Sequence, residues 1–196
     1  MSVILLGGSP SPNASTTRLL LHVGDKLALH GQRLIRIEAR ELDPQALLAA
    51  DCGEPGIARM LAQIAAADAL VIATPVYKAA YSGLLKAVLD LLPQDGLAGK
   101  LVLPLASGGS QSHMLALDYA LHPVLASMAP RSILPSIYAT ADQLGRNADG
   151  SLAPAPAIAA RVAQGVEQLA FELRALELRT SELRATAHGA EAALAA

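Results

Sequence analysis

The sequence predicts an α/β fold, a doubly wound parallel sheet of five strands with helices on both faces. Three observations predict it. Continuous apolar runs at 3–6, 69–73 and 101–106 read as strands buried on both faces. Each runs into a loop rich in Gly, Pro, Ser or Thr, and each loop leads into a segment whose apolar residues recur at helical spacing. With 53% hydrophobic and 16% charged residues, a chain of 196 residues has the material for one compact domain with a substantial core.

Taken in order, the first strand (3–6, Val-Ile-Leu-Leu) ends at Gly7 and Gly8. Residues 9–17 are dense in hydroxyls and proline. Ser15, Thr16 or Thr17 is expected to cap the next helix, whose inner face carries Leu19, Leu20, Val23 and Leu27. A second, more amphipathic strand at 33–37 suits a sheet edge. A helix over 54–67 sets Ile57, Leu61 and Ile64 on one side. The third strand feeds a turn, Thr-Pro-Val-Tyr-Lys-Ala-Ala-Tyr-Ser-Gly over 74–83, and then a helix over 84–92.

The fourth strand contains Pro104, expected to mark a bulge, and closes on Ser107, Gly108, Gly109 and Ser110. A helix over 112–128 turns Leu117, Leu121, Val124 and Leu125 toward the sheet. Pro123 has no N–H to offer the carbonyl of Tyr119, so a one-residue π-bulge or a kink is expected there. The last strand lies within 132–138, and 144–156 reads as an irregular connection rich in Gly, Asn, Asp and Pro. A final helix carries Ile158, Val162, Val166, Leu169, Leu173 and Leu176. The domain spans 1–180, and the alanine-rich tail 181–196 is expected to be frayed or disordered.

Right-handed crossovers and five strands favour the flavodoxin-like order 2-1-3-4-5. In that order the loops 9–17, 74–82 and 107–111 meet at one edge of the sheet, where open α/β sheets bind ligands. The first loop offers hydroxyls, amides and a helix N-terminus, enough for a phosphate, and it equally reads as a helix cap. It is neither a dinucleotide fingerprint nor a P-loop, because Gly-x-Gly-x-x-Gly and Gly-Lys-Ser/Thr are both absent. The second loop holds Tyr77 and Tyr81, half of the 4 tyrosines in a chain with 1 phenylalanine and no tryptophan. A planar ligand therefore has few other aromatic partners. The residues alone leave a ligand loop and a connecting loop with two core tyrosines both open.

A net charge of -2 provides no basic face for nucleic acid and no polybasic membrane anchor. No apolar run approaches the roughly 20 residues of a membrane-spanning helix, and 1–8 is too short and lacks the basic residues of a signal peptide. A cytoplasmic, reducing location is expected. Cys52 is the only cysteine, with no histidine nearby in sequence to activate it, and reads as a small core or loop residue. His22, His30, His113, His122 and His188 are scattered, so no metal site is expected. His113, just after the glycine loop, suits a hydrogen bond at a helix start.

Gly-Ser-Pro at 8–10, the segment 73–83, Leu-Asp-Leu-Leu-Pro at 89–93, Leu-Ala-Ser-Gly-Gly at 105–109 with His113, and Leu-Asp-Tyr-Ala-Leu at 117–121 together resemble the NAD(P)H-dependent FMN reductases. Among these, the chain is most similar to the reductases of two-component alkanesulfonate monooxygenase systems, which serve sulfur assimilation. The resemblance runs from 3 to about 139. It implies that Ser9, Ser15, Thr16 and Thr17 hold the FMN phosphate. Pro75, Val76, Tyr77 and Lys78 would line the flavin ring, and Ser107, Gly108, Gly109 and Ser110 would approach its other edge. Members often carry arginine where this chain has Ser11, so phosphate charge is left to amides, the helix dipole or Arg18.

The implied activity is hydride transfer from C4 of NADPH, or of NADH, to N5 of FMN. Reduced FMN would then supply an FMNH2-dependent alkanesulfonate monooxygenase. FMN is expected to exchange as a substrate, since tyrosine and backbone contacts replace a tryptophan sandwich. No catalytic acid or base is required, because the cofactors carry the reactivity. The resemblance further implies a homotetramer with Tyr119 at a subunit contact. The alternatives are an FMN-retaining quinone, azo or chromate reductase, a flavodoxin-type electron carrier, for which the scarcity of aromatics is unfavourable, and a non-catalytic interaction protein.

Overall fold

Alternation along each strand sorts side chains into two cores, one on either face of the sheet. The computed structural model describes residues 1–148 and 150–194, the side chains of 183–194 excepted. In β1 (Ser2–Gly7), Val3 and Leu5 face the layer of α1 (Ser15–Leu29) and α6 (Pro156–Leu194), with Leu19, Leu20, Val23, Val162 and Leu169. Ile4 and Leu6 face the other layer. There they meet α2 (Pro44–Ala49), α3 (Pro55–Ala66), α4 (Gly83–Leu89) and α5 (His122–Ala126) through Leu47, Ile57, Leu85 and Leu125.

Among the described residues β2 (Arg33–Glu38) pairs only with β1 and forms the edge, as its amphipathic pattern predicts. On the other side of β1 come β3 (Ala69–Tyr77) and β5 (Leu101–Gly108), all parallel. The fifth position is shared by two short strands, β6 (Ser132–Ile133) and β7 (Ile137–Thr140), both paired with β5. The order is therefore 2-1-3-4-5 with the last strand in two pieces, the flavodoxin-like doubly wound sheet.

That split corrects the expected bulge at Pro104. The register of β5 against β3 runs unbroken through Ile72 opposite Pro104. The carbonyl of Val102 accepts from Leu134 N at 2.8 Å, so alternation points Pro104 to the same side, into the gap between β6 and β7. No ladder donor is missed there. Two further elements were not legible. β3 continues through 74–77 and turns back as β4 (Ala80–Tyr81), so most of the expected turn is strand, and the connection 144–156 contains a hairpin of β8 (Leu144–Arg146) and β9 (Leu152–Pro154).

The helix expected over 112–128 is three pieces: a 3-10 turn Gln111–His113, a π turn Leu117–Leu121 and α5. Within the π turn the His122 amide donates to the Leu117 carbonyl, five residues back. The break predicted from Pro123 is thus a π turn rather than a kink, with Tyr119 projecting from it 79% exposed. α3 is capped by Glu54, whose carboxylate accepts from Ile57 N at 2.8 Å. α1 has no side-chain cap: Ala14 is its N-cap, and the three hydroxyls expected to cap it are used elsewhere. The expected fraying of 181–196 falls, from residue 183 on, outside the described residues.

His22, on α1, has a buried Nε2 with no hydrogen-bond partner among the described residues. Burial lowers its pKa from the ordinary 6.5, with Lys26 adding and Asp25 opposing. The fold therefore holds the neutral ring. Its contribution to stability is complete above pH 6.5 and is lost as pH falls through the lower folded value. His22→Leu is expected to remove that acid-side loss. Urea midpoints for both proteins at neutral and mildly acidic pH check this, and an unchanged pH dependence in the variant would refute it.

Candidate active site

Backbone contacts first bring the loops together. Gly8 N donates to the Ala73 carbonyl at 2.8 Å, and a Cβ on Gly8 would stand 2.7 Å from Leu85 Cβ and 3.2 Å from that carbonyl. Only glycine fits there. The buried Ser82 hydroxyl donates to the Gly8 carbonyl at 2.6 Å and accepts from Leu85 N at 3.1 Å. Thr74 Oγ1 accepts from Ser82 N at 2.9 Å and donates to the Pro75 carbonyl at 3.0 Å. The ends of β1 and β3 and the start of α4 are thereby locked into one platform.

On that platform the loop 9–17 wraps around its own hydroxyls. Buried Ser9 accepts from Ser11 N at 3.2 Å and reaches the Ser11 carbonyl at 3.3 Å, where Thr17 Oγ1 also donates at 3.1 Å. Ser15 and Thr16 instead share the hydroxyl of Ser107 across the sheet, Ser15 at 3.2 Å and Thr16 in closer contact. The hydroxyls predicted to cap α1 therefore join the first loop to the end of β5. The amides of Asn13, Ser15, Thr16 and Thr17 make no bond to the described residues. Free amides at a helix N-terminus beside three serine or threonine hydroxyls suit a phosphate. The side chain of Ser11 is exposed and makes no bond among the described residues.

Pro75 lies opposite Ser107 in the ladder, so the 75–78 edge faces the 107–110 edge across adjacent strands. Pro75 and Val76 are buried, Tyr77 is half exposed, and Lys78 with Ala79 forms the turn into β4. Both turn residues have left-handed backbones, φ 50 and 61. A two-residue hairpin turn demands that conformation and normally recruits Asn-Gly, so Lys78 and Ala79 hold strain on the order of 1–2 kcal/mol each. Ala79→Gly is expected to raise stability by about 1 kcal/mol. A higher urea midpoint at unchanged slope would bear this out, and no rise would place the strain elsewhere.

Gly108 stands against the hydroxyl of Tyr138, which donates to the Ser110 carbonyl at 2.5 Å. Burial raises the Tyr138 pKa, opposed by that bond, so the phenol remains a neutral donor. Gly109 and Ser110 are exposed at the rim. Tyr138, Thr74 and Ser82 shape the site; Thr74 and Ser82 lie in the 73–83 segment that carries the resemblance, whereas Tyr138 lies in no motif. His113 makes a hydrogen bond at a helix start through its amide, which donates to the Ser110 carbonyl at 3.1 Å, while its ring Nδ1 is buried with no partner among the described residues.

Arg18 lies in the first turn of α1, beside the loop 9–17. Its guanidinium donates to the Asn13 carbonyl at 2.6 Å. Arg40 reaches the Ser9 carbonyl at 3.5 Å from an ion cluster with buried Glu38 and exposed Arg36. Among the described residues no three or more His, Cys, Asp or Glu side chains gather as metal ligands, and no helix is long and apolar enough to cross a membrane. Cys52, expected in the core or in a loop, is an exposed loop residue without a disulfide. The arrangement can bind and align a planar phosphorylated molecule, with no acid–base pair placed to do more.

The profile of a family described as NADPH-dependent FMN reductase matches residues 1–144. A protein of Escherichia coli (strain K12) named FMN reductase (NADPH) is 43% identical over 144 residues, covering 74% of this chain and 75% of the relative. The apo crystal structure of an NADH:FMN oxidoreductase superposes with a TM-score of 0.80 at 37% identity, over 87% of this chain and 89% of the other. A Streptococcus pneumoniae flavodoxin shares the fold alone, with a TM-score of 0.60 at 18% identity over 87% and 98% of the two chains.

Proposed function

The chain belongs to the NADPH-dependent FMN reductase family, and from that premise we propose that it reduces FMN with NADPH and releases reduced FMN to a flavin-dependent monooxygenase acting on alkanesulfonates. NADH serves as a weaker donor in this reading. The observation that carries it is the pairing of four free amides and the Ser15, Thr16 and Ser107 hydroxyls with an open edge at Pro75, Val76, Tyr77, Gly108 and Gly109. Such a site grips a phosphate at one end and leaves a flat ring accessible at the other.

Bound there, FMN would accept hydride at N5 from C4 of the nicotinamide, with one proton taken up from solvent. The chain's own contribution is alignment. Ser9 shapes the loop that receives the phosphate, Ser15, Thr16 and Thr17 offer amides, and Ser11 leaves the loop mouth uncharged. Tyr77, half exposed beside the strained Lys78 turn, offers an aromatic face on that edge. Weak aromatic enclosure supports FMN acting as an exchangeable substrate.

The same reading takes the working form as a homotetramer built from units spanning 1–180, in the cytoplasm, where the exposed Cys52 stays reduced. Tyr119 on its π turn, together with exposed Met114 and Leu115, supports a subunit contact on that side. Oxidation of NADPH with and without added FMN tests the function. The purified protein should be nearly colourless after dialysis and should depend on free FMN. Stoichiometric yellow flavin that survives dialysis, with turnover driven by quinones instead, would overturn the proposal.

A further inference from the structure

Two arginines meet on one carbonyl beside the phosphate loop. Arg18 donates to Asn13 O at 2.6 Å from α1, and Arg146 approaches the same oxygen at 3.5 Å from the β8–β9 hairpin. A guanidinium carries five N–H donors, and a carbonyl has two lone pairs, so most of these donors need another acceptor. Among the described residues neither arginine has a carboxylate partner, and Arg18 Nε is buried without any bond. Burial and the facing charge of Arg146 both lower the Arg18 pKa. Two guanidiniums held together without a carboxylate partner leave positive charge and free donors that an anion can meet.

The FMN phosphate already has its own donors in the free amides and shared hydroxyls. The arginines meet the loop at the Asn13 carbonyl, a group that repels phosphate, rather than at its amides. Arg146 lies two residues beyond the stretch 1–144 that matches the family. We propose that Arg18 and Arg146 form a binding site for the 2′-phosphate of NADPH at the rim of the phosphate loop. The inference rests on the proposed reductase function. A planar fork on either side of a dianionic phosphate gives bidentate recognition that an unphosphorylated ribose cannot match.

Calorimetric titration with adenosine 2′,5′-bisphosphate and with 5′-AMP reads the site without turnover, so its failure is separable from failure of the reductase reading. The wild-type chain should bind the bisphosphate more tightly. Arg146→Ala and Arg18→Ala should each weaken it by about tenfold or more while shifting 5′-AMP little, and Arg146→Lys should restore part of the loss. In steady state the ratio of kcat/KM for NADPH over NADH should fall by a similar factor in Arg146→Ala. Equal binding of both adenosine ligands by the wild-type chain would overturn the proposal. A rise in KM for FMN but not riboflavin, with the NADPH/NADH ratio unmoved, would assign the pair to the flavin phosphate and overturn it equally. Wild-type protein that binds the bisphosphate but oxidises no nicotinamide would reject the reductase function and leave this site standing.

Discussion

Arg40→Ala is expected to cost about 3 kcal/mol of folding stability and to weaken FMN binding as well. Glu38 ends β2 with its carboxylate 1% exposed, held by Arg36 at 2.5 Å and Arg40 at 2.6 Å. Arg36 is 44% exposed on its side chain and Arg40 13%, so Arg40 is the partner that compensates the charge inside. Removing it leaves a buried carboxylate with one solvated partner, which places the cost at the lower end of the range for broken buried pairs. Arg40 also reaches the Ser9 carbonyl at 3.5 Å, so the phosphate loop loses a support at the same time.

The double variant Glu38→Leu with Arg40→Met separates the two roles. Replacing a buried pair by apolar side chains of similar size is often neutral or better, so stability should return while FMN affinity stays low. Urea unfolding and FMN titration of the three proteins measure this. Recovery of FMN affinity along with stability would show that Arg40 acts on the loop only through the fold.

Gly108→Ala should reduce FMN affinity by about tenfold or more, with a folding cost of about 1–3 kcal/mol from overpacking. The new Cβ would collide with the Tyr138 hydroxyl and lie 3.4 Å from Val76 Cβ. Tyr138 must then give up its bond to the Ser110 carbonyl, and the rim 108–110 moves. Adding Tyr138→Phe removes the oxygen that the methyl meets, leaving Cζ at an ordinary 3.4 Å. The double variant should therefore bind FMN better than Gly108→Ala alone. Strict additivity of the two substitutions would mean that Gly108 and Tyr138 do not act on each other, and the account of this edge would fail.

Local pattern carried much of the architecture because strand and helix periodicities are short-range. The apolar runs at 3–6, 69–73 and 101–106, the edge character of β2 and the break ahead of Pro123 all appear where expected. The same reasoning failed where a residue's best partner lay on another element. Ser15 and Thr16 have the chemistry of helix caps, yet Ser107 offers them a hydrogen bond across the sheet, and Ala14 caps α1 instead. Pro104 looked like a bulge because the gap in its neighbouring strand, between β6 and β7, leaves no mark on β5.

The sequence by itself determined the alternation of strands and helices, the order of the sheet and the gathering of three loops at one edge. These follow from the period of apolar residues and the handedness of crossovers. Tertiary structure alone decided how the edge is wired: Tyr138 on Ser110, Arg40 on Ser9, Thr16 on Ser107 and Arg146 on Asn13, across 28, 31, 91 and 133 residues. A hydrogen bond or charge pair of that span has no local signature. Its energy depends on burial and on the approach of two side chains, and both exist only after the sheet has closed.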